Sequence, residues 1–148
     1  MSWIRKYFKL NYRDQGLLLL VAFLLVAVRI ALYLVPFRLF RKSVLRLLQR
    51  QGSRSVEGQP AARRIIWAIE TASRLLPGTR HCLTKALVAK LLLVQAGYPS
   101  DLRIGVRRSA KGVLEAHAWL ESEGRIIVGN LHDLDRFQLF TDLNRDRS

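Results

Sequence analysis

The spacing of apolar residues along the chain changes period, and each change marks a different kind of element. Residues 17–28 are twelve uninterrupted apolar positions, and the apolar character continues over 30–37 past a single Arg29. Pro36 then marks a break or bend, because proline removes a helical hydrogen bond and clashes with the preceding turn. Beyond it Phe37, Phe40, Val44, Leu47 and Leu48 oppose Arg38, Arg41, Lys42 and Arg46, the pattern of a basic amphipathic helix. Residues 51–60 (QGSRSVEGQP) read as a linker by composition. A helix over 61–76 follows, with Ile65, Ile66, Ile69, Ala72, Leu75 and Leu76 on its apolar face and Pro77-Gly78 as its stop.

After Gly78 and Thr79, a breaker and a cap, Leu83, Ala86, Leu87, Leu91 and Val94 recur at the three-and-four spacing of a buried helix face. Past Ala96-Gly97-Tyr98-Pro99 the period becomes two. Residues 102–107 (LRIGVR) alternate as a half-buried strand, and Ser109-Ala110-Lys111-Gly112 supplies a turn. Residues 113–121 alternate again, with Leu114, Ala116, Ala118 and Leu120 on one face and Glu115, His117, Trp119 and Glu121 on the other. Ser122-Glu123-Gly124 turns the chain into a third strand over 125–129, which ends at Asn130. Helices followed by a short meander predict an α+β fold, organised as an apolar and basic N-terminal region (1–50), a linker (51–60) and a core (61–148).

Length and charge narrow the picture. A chain of 148 residues holds one domain with a real core. Residues 1–50 carry ten Lys or Arg against Asp14 alone, a net of +9; residues 51–148 carry fifteen against ten acids, a net of +5. A pI near 11.2 raises nucleic acid as a partner. The cations nevertheless interleave with long aliphatic runs and no stacking-aromatic or zinc-finger pattern, which favours anionic lipid or an acidic peptide and its carrier. One cysteine excludes an internal disulfide and points to a reducing cytoplasm. One Cys and three scattered His offer no paired metal spacing, so neither metal nor other cofactor is expected.

Candidate chemistry centres on Cys82. It falls in the first turn of a helix, where free N–H groups and the positive end of the helix dipole favour a thiolate. A lone cysteine is most often a small core hydrophobe, so a second group is needed. His117 supplies one, on a strand face shared with Trp119. If the hairpin turn is Glu123-Gly124, Ser122 pairs with Arg125 and His117 falls opposite Asn130; a one-residue change in the loop puts Gly129 there instead. Cys82, His117 and Asn130 then have the logic of a thiol triad: nucleophile, base, and a third group that fixes the ring of the base. Trp119 reads either as a wall of a substrate cleft or as a buried aromatic under the sheet. His81 and His132 read as surface residues.

The order helix-borne Cys82, two strands, Ala116-His117-Ala118-Trp119-Leu120-Glu121, turn and strand resembles the transglutaminase-like core of papain-related thiol enzymes. Cys82-Leu83-Thr84-Lys85-Ala86-Leu87, Gly97-Tyr98-Pro99 and Leu102-Arg103-Ile104-Gly105-Val106 extend the likeness to the stand-alone leader peptidases of lasso-peptide biosynthesis. The resemblance spans roughly 60–140 and implies Cys82 as nucleophile and His117 as base of an acyl-enzyme hydrolysis. That family usually places Asp after the Gly that ends the strand, where this chain has Asn130; Asp133 is the alternative third member. An acyltransferase would use the same Cys and His, and a non-catalytic membrane-associated scaffold would keep the fold without them.

The resemblance also implies partners: the leader of a precursor peptide, a separate small leader-binding protein, since the helices of 1–50 leave no room for a fused one, and a lasso cyclase acting on the product. Residues 17–48 suggest a membrane surface. Arg29 at mid-helix costs about 2.5–3.5 kcal/mol on insertion, while each aliphatic or Phe returns about 0.3–0.6. A span is therefore marginal by energy, and packing on the core or peripheral attachment is the favoured reading.

Overall fold

A computed structural model describes residues 9, 11–36, 39, 42, 46, 58–75 and 82–139. The chain forms α1 (Tyr12–Leu34), α2 (Gly58–Leu75), α3 (Cys82–Gln95), β1 (Asp101–Arg108), β2 (Leu114–Ser122), β3 (Arg125–Val128), a short 3-10 turn at Leu134–Arg136 and β4 (Gln138–Leu139). The expected α+β class holds: among the described residues three long helices accompany one antiparallel sheet in the order β3-β2-β1-β4. α1 ends where proline requires it to, with Val35 in the extended conformation that a residue before Pro36 adopts. The amphipathic stretch expected over 37–48 falls largely outside the described residues.

α2 starts at Gly58, earlier than the composition of the linker implies. Pro60 does not prevent this, because in the first turn of a helix its missing N–H has no intrahelical acceptor to lose. Ala62, Ile65, Ala68, Ile69 and Ala72 are buried, while Leu75, expected on that face, is exposed. α3 is buried on nearly every side: Ala86, Leu87, Val88, Ala89, Lys90, Leu92 and Leu93 are all covered. It lies between the sheet and the layer made by α1 and α2, so one apolar stripe does not suffice and the helix is apolar almost all round. Lys90 is the exception in chemistry. Its Nζ donates to the Ser100 carbonyl, tying the helix to the start of β1, and burial pushes its pKa below the usual lysine value against a smaller opposing pull from Asp101.

The sheet has two unlike faces. Leu102, Ile104, Ala118, Leu120 and Val128 join Leu18, Val21 and Leu25 of α1, the buried face of α2 and the body of α3 in one aliphatic cluster. Arg103, Gly105, Arg107, Glu115, His117 and Trp119 occupy the other face by alternation, paired as Arg103↔Trp119, Gly105↔His117 and Arg107↔Glu115. The hairpin turn is the two residues expected. Glu123 (φ 51) and Gly124 (φ 75) both lie in the left-handed region, the requirement of a type I′ turn.

Candidate active site

Cys82 is the first residue of α3 and is half-buried. α3 packs on β1 and β2, and across those strands Ile104 pairs with Ala118 and Gly105 with His117. No hydrogen bond joins Cys82 to His117 among the described residues; the aliphatic face lies against the body of α3, and His117 leaves the opposite one. Proton transfer between them requires the thiol to reach the His117 face of the sheet. His81, beside the thiol in sequence, lies outside the described residues.

The ring of His117 is held on several sides. Its Nε2 is 2.7 Å from the carbonyl oxygen of Gly129. A carbonyl only accepts, so Nε2 carries the proton in the neutral ring and the lone pair is left on Nδ1. The ring also stacks on Trp119, with centroids 6.1 Å apart and planes at 16°, and is tilted against Phe137 at 5.8 Å. Trp119 is 4 % exposed and its Nε1 donates to Glu121 Oε1 at 2.7 Å, which makes it a floor under the imidazole.

Two glycines make this packing feasible. A Cβ on Gly105 would come within 2.9 Å of both the Phe137 Cβ and the Trp119 ring. Gly129 has φ +82, and a Cβ there would be 2.8 Å from the Ala118 carbonyl oxygen. Only glycine meets both the dihedral and the close approach that turn this carbonyl toward His117.

Asn130 does not stand opposite His117. The ladder runs Ser122↔Arg125 and Glu121↔Ile126, then skips to Leu120↔Val128, so Ile127 is a bulge. The apolar run Ile126-Ile127-Val128 explains it. With one extra residue, Ile127 and Val128 both meet the aliphatic cluster, which strict alternation forbids. Asn130 is consequently displaced along the strand, exposed, and not hydrogen-bonded to His117. Asp133 instead accepts a hydrogen bond from Arg107 Nη1, and Arg107 Nε donates to Glu115 Oε2 at 2.7 Å. The Arg107 hydrogen bond holds the Asp133 carboxyl below its usual pKa range, and the same pairing raises Arg107 further. The Arg107 guanidinium also lies 4.6 Å from the centroid of Phe137, the ring that meets His117. Arg107 thereby clamps the segment after β3 over the imidazole.

Gly105, Arg107 and Phe137 play no part in the sequence-level triad, although one signal was there. A lone glycine in an alternating strand marks a close approach. Phe137 lies in an otherwise polar stretch and gives no comparable sign. Among the described residues no group of three or more His, Cys, Asp or Glu could hold a metal ion.

A cysteine at the start of a buried helix, followed by antiparallel strands that carry a histidine, is the order of elements expected of a transglutaminase-like core. The chain belongs to the transglutaminase-like superfamily, whose family model matches residues 23–141 and so takes in the C-terminal half of α1 as well as the sheet. Cysteine-peptidase or acyltransferase chemistry is usual in that superfamily. No curated protein and no solved structure matches the chain.

Proposed function

We propose that this chain is a cysteine peptidase that removes the leader from a ribosomally made lasso-peptide precursor. The observation that carries the thiol mechanism is the His117–Gly129 hydrogen bond, because it leaves the imidazole in the tautomer whose Nδ1 can take a proton from Cys82. The order of the Cys82 helix and the AHAWLE strand supports the choice of substrate.

The chemistry divides into two steps. Nδ1 of His117 accepts the Cys82 thiol proton, and Sγ attacks the scissile carbonyl. The same Nδ1–H then protonates the leaving amine as the C–N bond breaks, giving a thioester. Nδ1 next takes a proton from water, whose oxygen attacks the thioester; the acid is released and the thiol recovers its proton. The Cys82 backbone N–H, free at the helix start, is one oxyanion donor. During both steps the imidazolium keeps its Nε2–H on the Gly129 carbonyl, a dipole in the place where related enzymes use a side chain. Asp133 acts on this bond through Arg107, and Trp119 supports the ring from below.

Cleavage of one particular leader needs contacts away from the scissile bond. We assign those contacts to a separate small leader-binding protein that docks on the chain, with a lasso cyclase taking up the released core peptide nearby. The test is incubation of a precursor with the chain, with and without that protein, followed by mass spectrometry of the products. Leader and core should appear only with Cys82 and His117 intact and at full rate only with the partner. An amide-linked product in place of free acid would assign acyl transfer, and full-rate selective cleavage by the chain alone would remove the partner from the account.

A further inference from the structure

α1 is apolar on two sides, and the fold uses one. Leu18, Val21 and Leu25 are buried, and Leu17, Ala22, Leu24 and Val28 pack at the edge of the same cluster. At about 100° per residue the opposite side is made by Leu19, Phe23, Val26, Ile30 and Leu34. These are 64 %, 69 %, 42 %, 51 % and 77 % exposed, an apolar stripe along a helix about 34 Å long. No charge interrupts it. Asp14 is turned inward to an ion pair with Arg64 of α2, and Arg29 falls about 100° off the stripe.

What surrounds the stripe indicates its occupant. Exposed tyrosines stand at both ends of α1, Tyr12 and Tyr33, the residue type that settles at a lipid–water boundary. Arg13 is exposed on α1, and Arg63, Trp67 and Arg74 are exposed on the outward side of α2. Residues 1–50 as a whole carry a net +9. A second copy of the chain would bring like charges together, since each copy carries a net +14, whereas an anionic surface neutralises them.

We propose that the outward side of α1 docks flat on an anionic bilayer and holds the thiol core at the membrane surface without crossing it. By length and composition α1 could span, with a mean hydropathy of 2.8. The fold argues otherwise, because α1 is packed on α2 and α3 from Asp14 to Val28, and crossing would carry Arg63, Arg64 and Arg74 into hydrocarbon. The inference rests on the placement of α1 and is independent of which peptide the enzyme cleaves.

The full chain is to be sedimented with vesicles of equal parts phosphatidylglycerol and phosphatidylcholine, and with phosphatidylcholine alone. Binding is expected to the first, at least about tenfold weaker to the second, and weaker again at high salt. The triple variant Leu19→Glu, Phe23→Glu, Ile30→Glu changes exposed positions only; it should keep the helical circular dichroism of the parent and lose binding by about tenfold or more. Orientation is read in a Cys82→Ser background with Asn11→Cys or Val35→Cys, using membrane-impermeant maleimide on inside-out and right-side-out vesicles from an expressing bacterium. Both cysteines labelled from the cytoplasmic side supports docking. Labelling from opposite sides would establish a span and overturn it, as would equal binding to both vesicle types, or no binding together with a dimer that the triple variant abolishes.

Discussion

The two faces of the small sheet are built on opposite principles. Toward α3, Leu102, Ile104, Ala118, Leu120 and Val128 interlock with helical aliphatics, and non-directional burial does the work. Toward the segment after β3, Gly105, Arg107, His117, Trp119 and Phe137 meet through one hydrogen bond, two ring contacts and a guanidinium shared by two carboxylates. An aliphatic face tolerates small rearrangement, since any close packing recovers most of its free energy. A face made of oriented groups does not. The difference teaches where stability and chemistry reside: the first face holds the strands together, and the second sets the tautomer and tilt of one imidazole.

Substitutions should separate the faces. The largest effect on turnover is expected from Gly129→Ala, where a left-handed φ and a Cβ 2.8 Å from the Ala118 carbonyl oxygen force the peptide away from His117. Misplacing a base by about an ångström costs on the order of a hundredfold in turnover, and steady-state kinetics of precursor cleavage reads it. Leu120→Ala on the aliphatic face should do the reverse. It should cost about 2–5 kcal/mol in urea unfolding and leave turnover per folded molecule near the parent value. A variant that lost both together in either case would show that the faces are not separable.

Arg107→Gln gives an intermediate effect. Loss of the guanidinium frees Asp133 and uncovers Phe137, and turnover should fall by about tenfold through kcat with KM little changed. Asp133→Asn should follow in the same direction and more weakly, and Asn130→Ala more weakly still, because Asn130 makes no hydrogen bond to the ring. Should Asn130→Ala instead match Gly129→Ala, the bulged register would be wrong at its functional end.

The smallest expected effect is a pH slope on the aliphatic side. Burial lowers the pKa of Lys90, so the unfolded chain binds more protons than the folded one between the lowered value and the ordinary 10.5. Stability therefore rises as pH climbs through that window and levels off above it. Thermal melts of the parent at increasing alkaline pH should show the rise, and Lys90→Met should flatten it.

Much of this arrangement was legible in the sequence, and the parts that were not have physical reasons. Period two over 102–107 and 113–121 assigned both strand faces, and Glu123-Gly124 gave the turn, because side-chain alternation and left-handed φ are local properties. The bulge at Ile127 was not local. Three apolar residues in a row do not reveal which of them the core will accept, and that choice displaced Asn130. β4 is too short to show a period, so Phe137 went unread. The helix start at Gly58 was hidden by a Gly-Gln-Pro composition that suits a linker as well as a first turn. Leu75 falls at the edge of the stripe set by Ile65, Ile69 and Ala72 and is exposed.

Gly129 holds His117 with the proton on Nε2 and the lone pair on Nδ1, the tautomer that the proposed thiol mechanism requires. Nitrogen NMR of the ring-labelled protein with the imidazole neutral, and with His117 assigned by difference from His117→Gln, tests it directly. The account predicts a protonated Nε2 and an unprotonated, pyridine-like Nδ1, with the preference weakened in Gly129→Ala. A His117 ring that carries its proton on Nδ1 would contradict it.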